Sequence, residues 1–226
     1  MPTYRKVAQV HDYRCIGLEH LPEGAVLLVG YHGSPALDSL LLAWLLYERE
    51  GRPPCSFGHR TLFQLPLMRR LVRGLGMVSG DDAGVQAAVA GGQRLLVLPG
   101  GARECFRSSR TRYELDWGQR QGYARLALRY GIPIVPFASS GVDELYHIYG
   151  DGYRISMALT GTDSLPLCLP LGHRGLPFGP PRPVPIHQHL GQAIEPRGDA
   201  ASLDAEVRAR VKALLRRALA EQPPGL

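Results

Sequence analysis

Three short apolar runs, each stopped by glycine or proline and alternating with stretches of helical periodicity, constrain this chain more than any other feature. Gly24-Ala25-Val26-Leu27-Leu28-Val29-Gly30 is apolar between glycines and reads as a buried strand that delivers Tyr31 and His32 at its end. Ser34-Pro35 then has the chemistry of a helix start, serine as N-cap and proline in the first helical position, and residues 40–47 continue as an apolar helix. Gln93-Arg94-Leu95-Leu96-Val97-Leu98 is a second strand ending in Pro99-Gly100-Gly101. Residues 119–130 form a helix with Tyr123, Leu126, Ala127 and Tyr130 apolar and Gly131 as its stop, before the strand Ile132-Pro133-Ile134-Val135-Pro136-Phe137. The alternation predicts an α/β fold, a mixed and partly parallel sheet flanked by helices.

The 226 residues suit a single domain spanning 1–226, with the patterned core at about 24–137 and no interdomain linker. A content of 45% hydrophobic and 20% charged residues excludes the disordered and collagenous classes. Residues 165–185, rich in proline and apolar side chains, read as an extended apolar loop, and 202–222 as an amphipathic terminal helix with Leu203, Val207, Val211, Leu214 and Ala218 on one face. Cys15, Cys55, Cys105 and Cys168 are dispersed and suit a reducing compartment. The polar start of the chain has no signal-peptide character, so a cytoplasmic location is expected. The apolar run at 40–46 falls far short of the roughly 20 residues of a spanning helix. A formal charge of +6 favours anionic partners without choosing among them.

His32-Gly33-Ser34-Pro35-Ala36-Leu37-Asp38 carries the chemistry. It sets an imidazole at a strand end and a carboxylate in the next helical turn, whose side chains lean back toward the helix start. A bond from Asp38 to one ring nitrogen would fix the tautomer and leave the other as a general base. The plainer alternative is a histidine satisfying a turn and an aspartate complementing the helix dipole. No G-x-S-x-G elbow supplies a hydrolase nucleophile. No metal is expected, because His187 and His189 lack a third ligand and read as surface polar residues. Gly74, Gly76 and Gly80 miss the dinucleotide spacing, a P-loop is absent, and no nucleic-acid-binding signature accompanies the charge.

The His32–Asp38 segment resembles the first block of the phospholipid/glycerol acyltransferase superfamily, in which four residues usually separate histidine and aspartate. Here five intervene, as in the monoacylglycerol and diacylglycerol acyltransferase-like branch. Leu98-Pro99-Gly100-Gly101-Ala102-Arg103-Glu104 is similar to the block written EGTRS in lysophosphatidic acid acyltransferases. The glutamate that begins the block falls on Gly100, Arg103 matches its arginine, and Glu104 stands where serine is common. Ile132-Pro133-Ile134-Val135-Pro136 looks like the last block, and residues 117–124 are in the style of the neutral-lipid branch.

The resemblance implies a glycerolipid acyltransferase fold and a direct transfer in which His32, oriented by Asp38, activates an acceptor hydroxyl against an acyl thioester. Gly100, Gly101, Arg103 and Glu104 would contact substrate, with Arg103 on a phosphate of coenzyme A or of a lipid headgroup. Backbone N–H groups near Ser34 or in the Gly100-Gly101 turn would suit the oxyanion. Acyl-CoA enters as co-substrate and no cofactor is required. The acceptor would be a neutral mono- or diacylglycerol or a lysophospholipid. The protein would work peripherally at a membrane surface, which it would reach through residues 62–75 or the apolar loop segment 165–178. The alternative from another class is a noncatalytic lipid- or acyl-chain-binding protein of the same fold.

Overall fold

The computed structural model describes residues 2–57, 77–78, 82–150, 156, 158 and 168–222. Its strands are β1 (Arg14–Ile16), β2 (Val26–Gly30), β3 (Cys55–Phe57), β4 (Met77–Val78), β5 (Arg94–Val97), β6 (Ile134–Ser140), β7 (His147–Tyr149), β8 (Leu169–Leu171) and β9 (His187–Leu190). Among the described residues seven of them form one sheet in the order β1-β9-β6-β2-β5-β3-β4. Every neighbouring pair is parallel except β6 with β9. The fold is the expected α/β sheet, mixed, partly parallel and flanked by helices, and its pairings are parallel but for one.

β2 lies between β5 and β6 with all five residues buried, so it has no solvated face to fill with polar side chains. Leu27 and Val29 join one core cluster while Val26 and Leu28 join the other, as the two-residue period of a strand requires. The terminal helix Ala200–Ala220 adds Leu203, Val207, Val211 and Leu215 to the first cluster. Leu42 and Leu46 of the helix Leu37–Glu50 pack into the second. The terminal helix starts at a capping box in which Asp199 accepts from the Ser202 N–H at 2.8 Å and the Ser202 hydroxyl accepts from the Asp199 N–H at 3.3 Å. Gly131 closes the helix Gly122–Tyr130 at φ 61°.

The helix after β2 starts later than its sequence suggests. Ala36 adopts φ 68° and donates its N–H to Gly33 O at 2.7 Å, so residues 33–36 close a tight turn and the helix begins at Leu37. Ser34 is buried within that turn and does not cap the helix. Within 165–185, expected as an irregular loop, β8 pairs antiparallel with β7. His187 and His189 are buried on β9, not at the surface, and His189 Nε2 lies 3.0 Å from Glu221 Oε2. No group of three or more ligands that could hold a metal ion occurs among the described residues. All four cysteines are free. Residues 62–75, one expected membrane contact, lie outside the described residues.

Because β2, β5 and β6 run parallel, their carboxyl ends reach the same sheet edge, the place where open α/β sheets bind ligands. His32 follows β2, the Gly100-Gly101 turn follows β5 and Asp143 follows β6.

Candidate active site

His32 is half-buried, and its two hydrogen bonds leave one ring nitrogen available. Its backbone N–H donates to Glu104 Oε2 at 3.0 Å, and its Nδ1 lies 3.0 Å from Gly33 O. A carbonyl can only accept, so the neutral ring carries its proton on Nδ1 and presents the lone pair on Nε2. Nε2 has no hydrogen bond to any described residue. Burial drives the imidazole from 6.5 down to about 4, the Gly33 carbonyl opposing this and Arg107 adding to it. The ring is therefore an uncharged base at neutral pH.

Asp38 does not hold that ring. Its carboxylate is buried and accepts from Ser139 Oγ at 2.7 Å, and no hydrogen bond joins it to His32. The 33–36 turn sets Asp38 as the second residue of its helix, beside β6, while the Gly33 carbonyl performs the tautomer-fixing expected of the carboxylate. Burial raises Asp38 from 3.8 to about 6 against the Ser139 hydroxyl and the Ser39 N–H, which lower it. Between those two values the folded state holds more protons than the unfolded state, so ionising Asp38 costs stability as pH rises through that interval. Asp38→Asn removes this dependence. Urea unfolding at a series of pH values should show the parent-minus-variant stability falling from pH 4 to pH 7, and a flat difference would contradict the assignment.

The turn after β5 is held from both sides. Gly101, at φ 54°, donates its N–H to Leu98 O at 3.0 Å, so that donor closes the turn and is not offered to an oxyanion. Arg120 Nη1 reaches Pro99 O at 3.0 Å and Gly100 O at 2.8 Å. Glu104, expected at the substrate, is fully buried instead. Its Oε1 accepts from the Asp116 N–H at 2.8 Å, and its Oε2 accepts from Trp117 Nε1 at 3.2 Å as well as from His32. Arg107 Nη2 lies 3.5 Å from Oε1. Burial lifts Glu104 to about 7, with Arg107 and these N–H donors pulling down. Arg103, one residue earlier on the short helix Ala102–Cys105, is half-buried.

Trp117 is fully buried and edge-on to Tyr123, with ring centres 5.5 Å apart. Tyr123 donates its hydroxyl to Asp204 at 2.6 Å, and Arg208 joins the same carboxylate at 2.7 Å while lying over the Trp117 ring. The terminal helix thus braces the loop that reaches Glu104.

Asp143, Arg107, Tyr31, Tyr113 and Ser139 belong to the site although their sequence context carries no motif. Asp143, buried, accepts from the Tyr31 hydroxyl and from the Tyr113 N–H at 2.9 Å, and Arg107 Nε stands 3.9 Å away. Burial raises the Asp143 carboxyl, with Arg107, Tyr31 and the Tyr113 and Ser34 N–H groups opposing. One signal was available: polar residues at the end of an apolar strand, as Ser139 and Ser140 end β6 and Asp143 follows three residues later.

Comparison with known proteins places these features in context. An acyltransferase family model matches residues 12–140. The chain is 30% identical over 207 residues to the Gallus gallus protein named DGAT1/2-independent enzyme synthesizing storage lipids, covering 91% of this chain and 59% of that protein. The Mus musculus protein of the same name is 27% identical over 207 residues, 91% of this chain and 60% of that protein. The chain therefore spans less than two thirds of the length of these curated relatives. Among solved structures, the 1-acyl-sn-glycerophosphate acyltransferase PlsC from Thermotoga maritima shares the fold at a TM-score of 0.52 and 14% identity, over 93% of this chain and 79% of that one.

Proposed function

The chain belongs to the acyltransferase family, within the phospholipid/glycerol acyltransferase superfamily, and we propose that it moves a fatty acyl group from acyl-CoA or another acyl thioester to a hydroxyl of a glycerolipid. The observation that carries the reading is the His32 ring, tied at Nδ1 to Gly33 O and, among the described residues, with no hydrogen bond at Nε2. Neutral mono- or diacylglycerol and lysophospholipid are the acceptors considered, and the storage-lipid enzymes among the relatives favour the neutral ones.

In this mechanism His32 Nε2 takes the proton of the acceptor hydroxyl as its oxygen attacks the thioester carbonyl. The new C–O bond forms, the tetrahedral centre collapses with loss of the C–S bond, and the departing thiolate takes the proton back from the imidazolium. Asp38 leaves the Ser139 hydroxyl to stabilise the charged ring. Arg103 binds a phosphate of coenzyme A or of a headgroup, beside the Gly100-Gly101 turn. Incubating the protein with one acyl-CoA and a panel of glycerolipids, with products weighed by mass spectrometry, tests the reading. Acylated glycerolipid is expected. A chain that binds these lipids yet acylates none is the noncatalytic alternative, which the Asp38–Ser139 bond would also fit.

No helix among the described residues is long and apolar enough to cross a membrane. We assign the contact with a bilayer to the β7–β8 strand pair and the turn after it, where Tyr149 is 66%, Leu169 47%, Leu176 53% and Phe178 72% exposed. Apolar side chains of this kind gain by entering the headgroup boundary. Phe178→Asp should lower the fraction of protein that floats with phosphatidylcholine/phosphatidylserine vesicles by several-fold, and unchanged flotation would remove this segment from the membrane.

A further inference from the structure

The side-chain space of residue 100 is already occupied. A Cβ built on Gly100 would lie 2.0 Å from Glu104 Cδ and 2.1 Å from its Oε2. Unlike Gly101 at φ 54°, Gly100 lies outside the left-handed region, so a positive φ does not bar a side chain there, and the three nearest atoms its Cβ would meet all belong to the Glu104 side chain. The motif that this segment resembles begins with a glutamate at position 100, and here the Glu104 carboxyl lies where the first side-chain atom of residue 100 would stand.

We propose that Glu104 is the positioning residue of the site: its carboxylate stands in for a residue-100 side chain and, through the His32 N–H, fixes the main chain from which the imidazole projects. Three donors converge on the carboxylate, from His32 beyond β2 and from Asp116 and Trp117 in the loop that the terminal helix braces. Only the first belongs to the residue that carries the base, and it acts one bond from that residue's Cα. Being fully buried, Glu104 acts on the reaction through the His32 main chain. A displaced His32 main chain would move Nε2 away from the acceptor hydroxyl, and misplacement by about 1 Å costs on the order of 10²-fold in rate. The inference rests on His32 as the base.

The test is an exchange of the two positions. Glu104→Ala should lower kcat by about 10²-fold while leaving the KM for acyl-CoA essentially unchanged. Gly100→Glu alone should also be impaired, because two carboxyls would compete for one space. The double variant G100E/E104A should recover kcat to within about tenfold of the parent, the residual loss reflecting imperfect geometry. Glu104→Gln, of the same shape but with an amide N–H2 facing donors, keeps the fold and should lie between parent and Glu104→Ala.

Amide hydrogen exchange at His32 gives a readout independent of turnover. It should speed up in Glu104→Gln and return to the parent rate in the double variant. A double variant that is unfolded, or folded and no faster than Glu104→Ala, overturns the proposal. So does Glu104→Gln with parental kcat and parental exchange at His32. His32→Ala in the same assay keeps the two ideas apart: its retained activity would sink the base assignment, whereas its loss beside an unimpaired Glu104→Gln would sink only the positioning role.

Discussion

His32→Ala should lower acyl-transfer turnover by about 10²- to 10⁴-fold, the usual contribution of a positioned general base. The expectation follows from how the ring is held. The Gly33 carbonyl accepts from Nδ1, so the proton-accepting electron pair is on Nε2, and burial keeps the ring uncharged at neutral pH. Removing it leaves an acceptor hydroxyl whose proton has no protein destination. Stability should change little, because the ring is half-buried and gives up a single hydrogen bond to a carbonyl. Steady-state kinetics with thermal unfolding on the same preparation decides the matter. A folded variant that retains a tenth or more of parental turnover, an order-of-magnitude threshold set against the usual range for a general base, would rule out His32 as the base.

The largest expected effect on stability lies at Asp143→Ala. The substitution leaves the Arg107 guanidinium, whose side chain is 8% exposed, with Glu104 at 3.5 Å as its remaining carboxylate. It also strips the Tyr31 hydroxyl of its acceptor and leaves the Tyr113 N–H with the Tyr31 oxygen at 3.1 Å. A buried donor left without its acceptor costs about 1–3 kcal/mol, more for a charged one. For a chain of this size a loss of about 2–4 kcal/mol is a fall of about 4–16 °C in Tm. Asp143→Asn keeps the acceptor oxygen for Tyr113 and should lose less. An Asp143→Ala protein melting within a degree or two of the parent would mean that water replaces the carboxylate, and that Arg107 is not held by it.

The two predictions divide the site into a part that was legible in the sequence and a part that was not. His32 stood out because an apolar run must be a strand, and its first polar residue then lies at the strand's carboxyl end. The Gly100-Gly101 turn was legible for the same reason. Asp38 was found, but its partner was misread, since spacing along the chain gives proximity and cannot say which way a carboxylate turns. The serine and proline before it have helix-start chemistry, yet the left-handed Ala36 moved the start to Leu37 and left Ser34 buried. Glu104 was read as a substrate contact because charged residues are usually exposed, and here three donors and the nearby Arg107 guanidinium make its burial tolerable.

What the sequence determined by itself is the three central strands β2, β5 and β6, the partly parallel sheet with its helices, and the presence of an imidazole at its carboxyl edge. All of these follow from interactions between residues a few positions apart: apolar periodicity, turn chemistry and the stop at Gly131. The tertiary structure alone decided which groups share protons. Asp38 meets Ser139 across 101 positions, His32 meets Glu104 across 72, and Tyr31 meets Asp143 across 112. Pairings of that span are set by how strands register and how loops pack over their ends, and a buried polar group takes whichever partner that packing brings within reach.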